Sequence, residues 1–118
     1  SNLSVSNNCP YGVRFVVGWG GSCIKQVDID KGQTWGSKID SVQYDFYTNS
    51  AGSSAMSTGV DCCAYTAPGK TTYIQIRNNG GSPKAFVVSS SNWYETTSEF
   101  LDVGGNIVKA GAAVYGAM

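Results

Sequence analysis

Apolar and polar residues alternate with a period of two over most of the chain up to Ser90, the pattern of strands with one buried face. In "NLSVSN" (2–7), Leu3 and Val5 alternate with polar neighbours. "VRFVVGW" (13–19) puts Val13, Phe15, Val17 and Trp19 on one face. "CIKQVDID" (23–30) sets Lys25, Val27 and Ile29 against Gln26, Asp28 and Asp30. "VQYDFYT" (42–48) sets Val42, Tyr44 and Phe46 against Gln43, Asp45 and Tyr47. "TTYIQIRN" (71–78) sets Ile74 and Ile76 against Tyr73, Gln75 and Arg77, and "KAFVVSS" (84–90) predicts a sixth strand. The segments between them carry turn chemistry. "RNNGGSP" (77–83) offers Asn-Gly for positive φ and then a proline that stops a ladder; "DKGQTWGS" and "APGK" do similar work.

The period changes near the C-terminus. Phe100, Val103, Ile107, Ala110 or Gly111, and Val114 follow three- and four-residue spacing, and Thr97 or Ser98 can cap the start, which predicts a helix. Gly104 and Gly105 each weaken it by about 1 kcal/mol relative to alanine, so an interruption is expected there. "SAGSSAMSTGVDCCAY" (50–65) is a second helical candidate. The expected fold is α+β: an antiparallel sheet of five or six strands with a C-terminal helix packed on it. A chain of 118 residues suits one domain, 1–118, with one core.

Composition narrows the function. Eight Lys plus Arg balance eight Asp plus Glu, so no net field draws the chain to nucleic acid or an anionic membrane. No apolar run approaches the roughly 20 residues of a membrane helix, so no membrane insertion is expected. Cys9, Cys23, Cys62 and Cys63 make an even count in a small chain, which predicts two disulfides and a secreted, extracellular protein. Adjacent cysteines rarely bond to each other, so Cys62 and Cys63 are expected to reach separately to Cys9 and Cys23, with two pairings open. The Cys-Cys adjacency lacks a zinc-knuckle spacer, so no metal or cofactor is implied.

The sequence contains no histidine. Ser-His and Cys-His nucleophile pairs and histidine acid/base chemistry are therefore excluded. Carboxylates remain, and "DID" places Asp28 and Asp30 on one strand face about 7 Å apart. Such pairs are usually surface acids, and no catalytic residue is assigned.

The aromatic residues point elsewhere. Trp19, Trp35 and Tyr44 are read as core or rim. Asp45 and Tyr47 face away from Phe46, while Tyr73, Gln75 and Arg77 face away from Ile74 and Ile76; adjacent strands would make them one polar and aromatic platform. "SSSNWYETT" (89–97) places Asn92, Trp93 and Tyr94 on a polar loop. A pyranose stacks its C–H face on an aromatic ring and shares hydroxyl hydrogen bonds with planar carboxylates, amides and guanidinium groups. Asp45, Tyr47, Tyr73, Arg77, Asn92, Trp93 and Tyr94 are thus the candidate glycan-binding residues of a non-catalytic lectin. Its partners would be glycans of glycoproteins or glycolipids, and a homodimer through an edge strand would add avidity. The alternatives are a secreted effector, toxin or inhibitor that acts on a protein, and a hydrolase using Asp28 or Glu95.

Two resemblances accompany this reading. "VSNNCPYGV" followed by "DKGQTW" looks like the opening strands of thaumatin-like proteins over about residues 4–36. That family is far longer and richer in cysteine, so its fold and glucan activity are not transferred. Length, low charge, "DCCAY", "SNWYETT" and the strand-rich pattern make the whole chain similar to small secreted mushroom lectins of the inky-cap type. That resemblance implies recognition of complex glycans carrying GalNAc or fucose, a cytotoxic or defensive role, and a dimer that joins two sheets into one.

Overall fold

The computed structural model describes residues 1–52, 62–88, 93–94, 99–102 and 104–109, with backbone alone for 62–64, 93–94, 99 and 109. These residues form β1 (Asn2–Asn7), β2 (Val13–Trp19), β3 (Ser22–Ile29), β4 (Thr34–Lys38), β5 (Gln43–Ser50), β6 (Cys62–Tyr65), β7 (Thr71–Asn79), β8 (Ser82–Val88), β9 (Trp93–Tyr94), β10 (Glu99–Leu101) and β11 (Ile107–Lys109). They make a six-stranded sheet, ordered β11-β10-β8-β7-β1-β4, and a five-stranded sheet, ordered β3-β2-β5-β6-β9. The apolar alternation places Leu3, Val5, Ile74 and Ile76 on the inner face of the first sheet, and Val13, Phe15, Val17 and Phe46 on that of the second. All eight belong to one core. Each such side chain contributes roughly 1.5–3 kcal/mol by leaving water. Phe15 stacks on Phe46 at 5.6 Å and meets Trp35 of β4 at 6.2 Å, so a ring from the opposite sheet closes the centre.

The fold differs from the α+β expectation in three ways. First, it is a two-sheet sandwich, and the six-stranded sheet holds two parallel pairs, β1 with β7 and β8 with β10. Second, the predicted C-terminal helix is replaced, over the described residues, by the β10–β11 hairpin. Phe100 pairs with Val87 on one side and Val108 on the other, so its burial comes from cross-strand neighbours. Gly105 adopts φ 81°, and Asp102 closes the turn: its backbone N–H donates to Asn106 O at 2.9 Å, and its Oδ1 accepts from the Asn106 N–H at 2.8 Å. The Gly-Gly pair read as an interruption of a helix is a hairpin turn. Residues 110–118 lie outside the described residues. In the other helical candidate, 62–65 is strand β6 and 53–61 lies outside the described residues.

Third, Cys9 and Cys23 are free thiols, so neither predicted disulfide forms. Cys23 pairs with Gly18, Gly18 with Asp45, and Asp45 with Cys63. Three inter-strand steps separate the two cysteines by about 14 Å, whereas bonded cysteines have Cα atoms within about 7 Å. Cys9 is buried in the β1–β2 connection, near the start of β2 where Val13 pairs with Ser50. Cys62 is registered on Phe46, roughly 13 Å along β5 from that end. Burial pushes the Cys9 thiol pKa up, partly offset by a hydrogen bond with Tyr11. The inference of an oxidising compartment rested on those two bonds and loses its support with them.

Asn7 fastens one end of the sandwich. It is wholly buried. Its Nδ2 donates to Tyr11 O and Ile29 O, both at 2.9 Å, and its Oδ1 accepts from the Cys9 N–H at 2.9 Å. Its backbone bonds Gln33 O and the Gly32 N–H. One side chain thus ties the end of β1 to the β1–β2 connection and to the end of β3.

Candidate functional site

The two halves of the expected platform lie in different sheets. Tyr73, Gln75 and Arg77 point outward from β7 in the six-stranded sheet; Tyr73 is 51% exposed, and Arg77 donates from Nε and Nη2 to Gln75 Oε1 at 3.2 Å. Asp45 and Tyr47 stand on β5 in the other sheet, whose outer face looks the opposite way. Tyr47 is buried, which raises its phenol pKa, and the Asp45 charge adds to the rise. Trp93 and Tyr94 form β9, registered opposite Tyr65 and Ala64. Tyr65 in turn pairs with Gln43, two residues from Asp45, so Trp93 and Asp45 share a sheet. Asn92 and Glu95 lie outside the described residues. Asp28 is engaged by Arg14, with Nε at 2.9 Å from Oδ1 and Nη2 at 3.0 Å from Oδ2; these bonds lower its pKa and occupy the carboxylate.

An apolar recess opens at the other end of the sandwich from Asn7, with a volume of about 230 Å³. Trp19, Ile24, Asp40, Val42 and Tyr44 line it. Sequence reading placed Trp19 at core or rim because it ends the Val13, Phe15, Val17 alternation. It is 56% exposed. Gly20 and Gly21 turn the chain immediately after it with φ 61° and 82°, the doubly positive geometry of a two-residue hairpin. Trp19 therefore sits at the tip of the β2–β3 hairpin, where it pairs with Ser22. The Gly-Gly pair was the available signal. Ile24 arrives by a bulge: Val17 pairs with Lys25 and Gly18 with Cys23, which leaves Ile24 as an extra residue, 45% exposed beside the indole.

Tyr44 forms the floor. Burial raises its phenol pKa, the Asp40 carboxylate raises it further, and a backbone hydrogen bond from Asp40 partly offsets both. The phenol therefore stays protonated at neutral pH. The segment carrying Asp40 is held from two sides. Ser1 donates from Oγ to Ile39 O at 2.8 Å and accepts the Ile39 N–H at 3.0 Å. Thr66, wholly buried, has its Oγ1 2.7 Å from Asp40 O and 3.0 Å from Val42 O, and its N–H donates to Val42 O at 3.1 Å. Among the described residues the Asp40 carboxylate makes no ion pair and no side-chain hydrogen bond. The site thus presents a carboxylate, carried on a hydrogen-bonded stretch of backbone, in the lining of an apolar hollow walled by an indole. Replacing Thr66 by Val keeps the shape but leaves a buried carbonyl with one bond fewer. Thr66→Val is expected to cost about 1–2 kcal/mol in chemical denaturation and to loosen the Asp40 segment.

No family model matches the chain, and no curated protein or solved structure matches it either.

Proposed function

We propose that the chain is a non-catalytic glycan-binding protein whose sugar enters the Trp19 recess. The observation that carries this is a largely exposed indole beside an apolar hollow, with Asp40 in its lining on a hydrogen-bonded stretch of backbone. The geometry suits a pyranose: its C–H face covers the ring, and its hydroxyls donate to Asp40 and exchange hydrogen bonds with neighbouring polar groups. A rigid ring and a pre-set loop lose little entropy on binding. Tyr65, exposed on β6 of the same sheet, offers a secondary contact for a longer chain of sugars. GalNAc or fucose preference came from the resemblance alone and does not enter this reading.

A homodimer belongs to the same proposal. The β3 edge carries Lys25 on its inward side, a feature that discourages pairing. The β4 edge has no such guard, and a second copy paired there would present two recesses for avidity. Light scattering of the wild-type chain reads its mass directly.

A glycan array probed with micromolar protein, wild type beside Trp19→Ala, tests the binding reading. Signal on a subset of glycans that disappears in the variant is the expected result; a blank array with folded protein ends it. The exposed Ile24 beside Trp19 favours a second reading, an effector or inhibitor that docks this tip on a protein. In that case toxicity or inhibition falls in Trp19→Ala, yet no sugar competes.

A further inference from the structure

We propose that the recess selects sugars bearing a free, protonated amino group over their N-acetylated or hydroxyl counterparts. This deepens the glycan-binding reading and rests on it. Two groups in the recess favour positive charge. The indole face of Trp19 carries the negative side of the ring quadrupole, which attracts an ammonium placed over it. Asp40 supplies a full negative charge at the rim.

Among the described residues the lining holds no Lys or Arg, and Tyr44, with its phenol pKa raised, contributes a neutral hydroxyl. Among the described carboxylates, Asp28 is occupied by Arg14 and Asp102 by the backbone and side chain of Asn106, whereas Asp40, like Asp30 and Asp45, makes no ion pair and no side-chain hydrogen bond; of these three, Asp40 is the one that lines the recess. Ser1 and Thr66 hold the backbone from Ile39 to Val42, which keeps the Asp40 residue at the recess. The chain carries no net charge, so no long-range field opposes a cationic ligand. A hydroxyl and an ammonium both make charge-assisted bonds to a carboxylate, but the ammonium adds the direct attraction of opposite charges. N-acetylation removes the ligand's charge and with it both attractions.

The test is calorimetric titration of the intact chain with a β-linked glucosamine tetramer carrying free amines and with its fully N-acetylated counterpart. Wild type is compared with Asp40→Asn and Trp19→Ala. The free-amine tetramer is expected to bind wild type about tenfold more tightly, with an affinity that weakens as salt rises. Asp40→Asn should bring the two tetramers within about twofold of each other. Equal affinities in wild type, or a preference that persists in Asp40→Asn, would overturn the inference and leave glycan binding standing. If neither tetramer binds while the array shows neutral glycans, the inference alone falls. If neither binds and the array is blank, both fall. Asp40 is exposed, so Asp40→Asn is expected to fold, and a circular dichroism melt checks this.

Discussion

Asn7→Leu is expected to lose about 3–5 kcal/mol of folding stability, because it strands the Cys9 N–H and the Tyr11 and Ile29 carbonyls. Each buried group left without a partner costs roughly 1–3 kcal/mol, and the part-buried Tyr11 carbonyl recovers some of that from water. Against a total stability of about 5–15 kcal/mol the loss is large, and the melting temperature should fall by on the order of 10–20 °C. Asn7→Asp separates the donor and acceptor roles. A carboxylate can still accept from the Cys9 N–H, but it cannot donate to the two carbonyls and brings negative charge against them. Burial and those carbonyls raise the folded pKa of the introduced acid above its unfolded value. The stability it permits is therefore fully present below the unfolded pKa and is lost as pH rises through the folded one. The deficit of Asn7→Asp relative to wild type should shrink on acidification, whereas that of Asn7→Leu should stay flat. Urea denaturation at several pH values reads both; an Asn7→Leu protein within about 1 kcal/mol of wild type would mean that the side chain is not the fastening it resembles.

Local alternation was enough to locate β1, β2, β5 and β7, because Leu3, Val5, Phe15, Phe46, Ile74 and Ile76 each fall on the buried face that their spacing assigned. What alternation does not carry is partnership. Tyr47 and Tyr73 each alternate against their strands' core residues, yet Tyr47 is buried and Tyr73 exposed, and β5 and β7 belong to different sheets. Strand pairing is set by contacts far apart in sequence, and nothing within "VQYDFYT" or "TTYIQIRN" names a neighbour.

The missed strands share a cause. In "TWGSK" only Trp35 is large and apolar, and Gly36 dilutes β propensity, so β4 exists because β1 offers it a ladder from Asn2↔Lys38 to Ser6↔Thr34. "CCAY" was read for its sulfurs and a helical period, whereas its pairing with β5 makes it a strand. The "VGGN" segment fitted a broken helix and a hairpin equally well by spacing, and the cross-strand burial of Phe100 against Val87 and Val108 chose the hairpin. For Trp19, alternation left core and rim both open, and the Gly20–Gly21 turn that ends β2 puts it at the exposed rim.

Trp19→Ala is expected to weaken glycan binding by about 30-fold or more, the loss of at least about 2 kcal/mol that accompanies removal of a central aromatic anchor. The same change should leave stability within about 0.5 kcal/mol of wild type, because the ring is more than half exposed and lies outside the core cluster. That separation is the diagnostic part. Phe15→Ala, deep between the sheets, should cost roughly 3–5 kcal/mol, and would reduce binding only through unfolding. Trp19→Phe keeps a flat ring with a smaller, weaker π face, so it should retain part of the affinity. It should also abolish any ligand-induced change in tryptophan fluorescence that Trp35 and Trp93 do not share. If Trp19→Ala binds as wild type while Trp93→Ala fails, the sugar sits along β9 and Tyr65 at the sheet edge, and the recess is only a gap between a hairpin tip and the opposing loop. If both variants fail while Tyr73→Ala does not, the ligand spans the recess and that edge, and the five-stranded sheet alone carries the binding face.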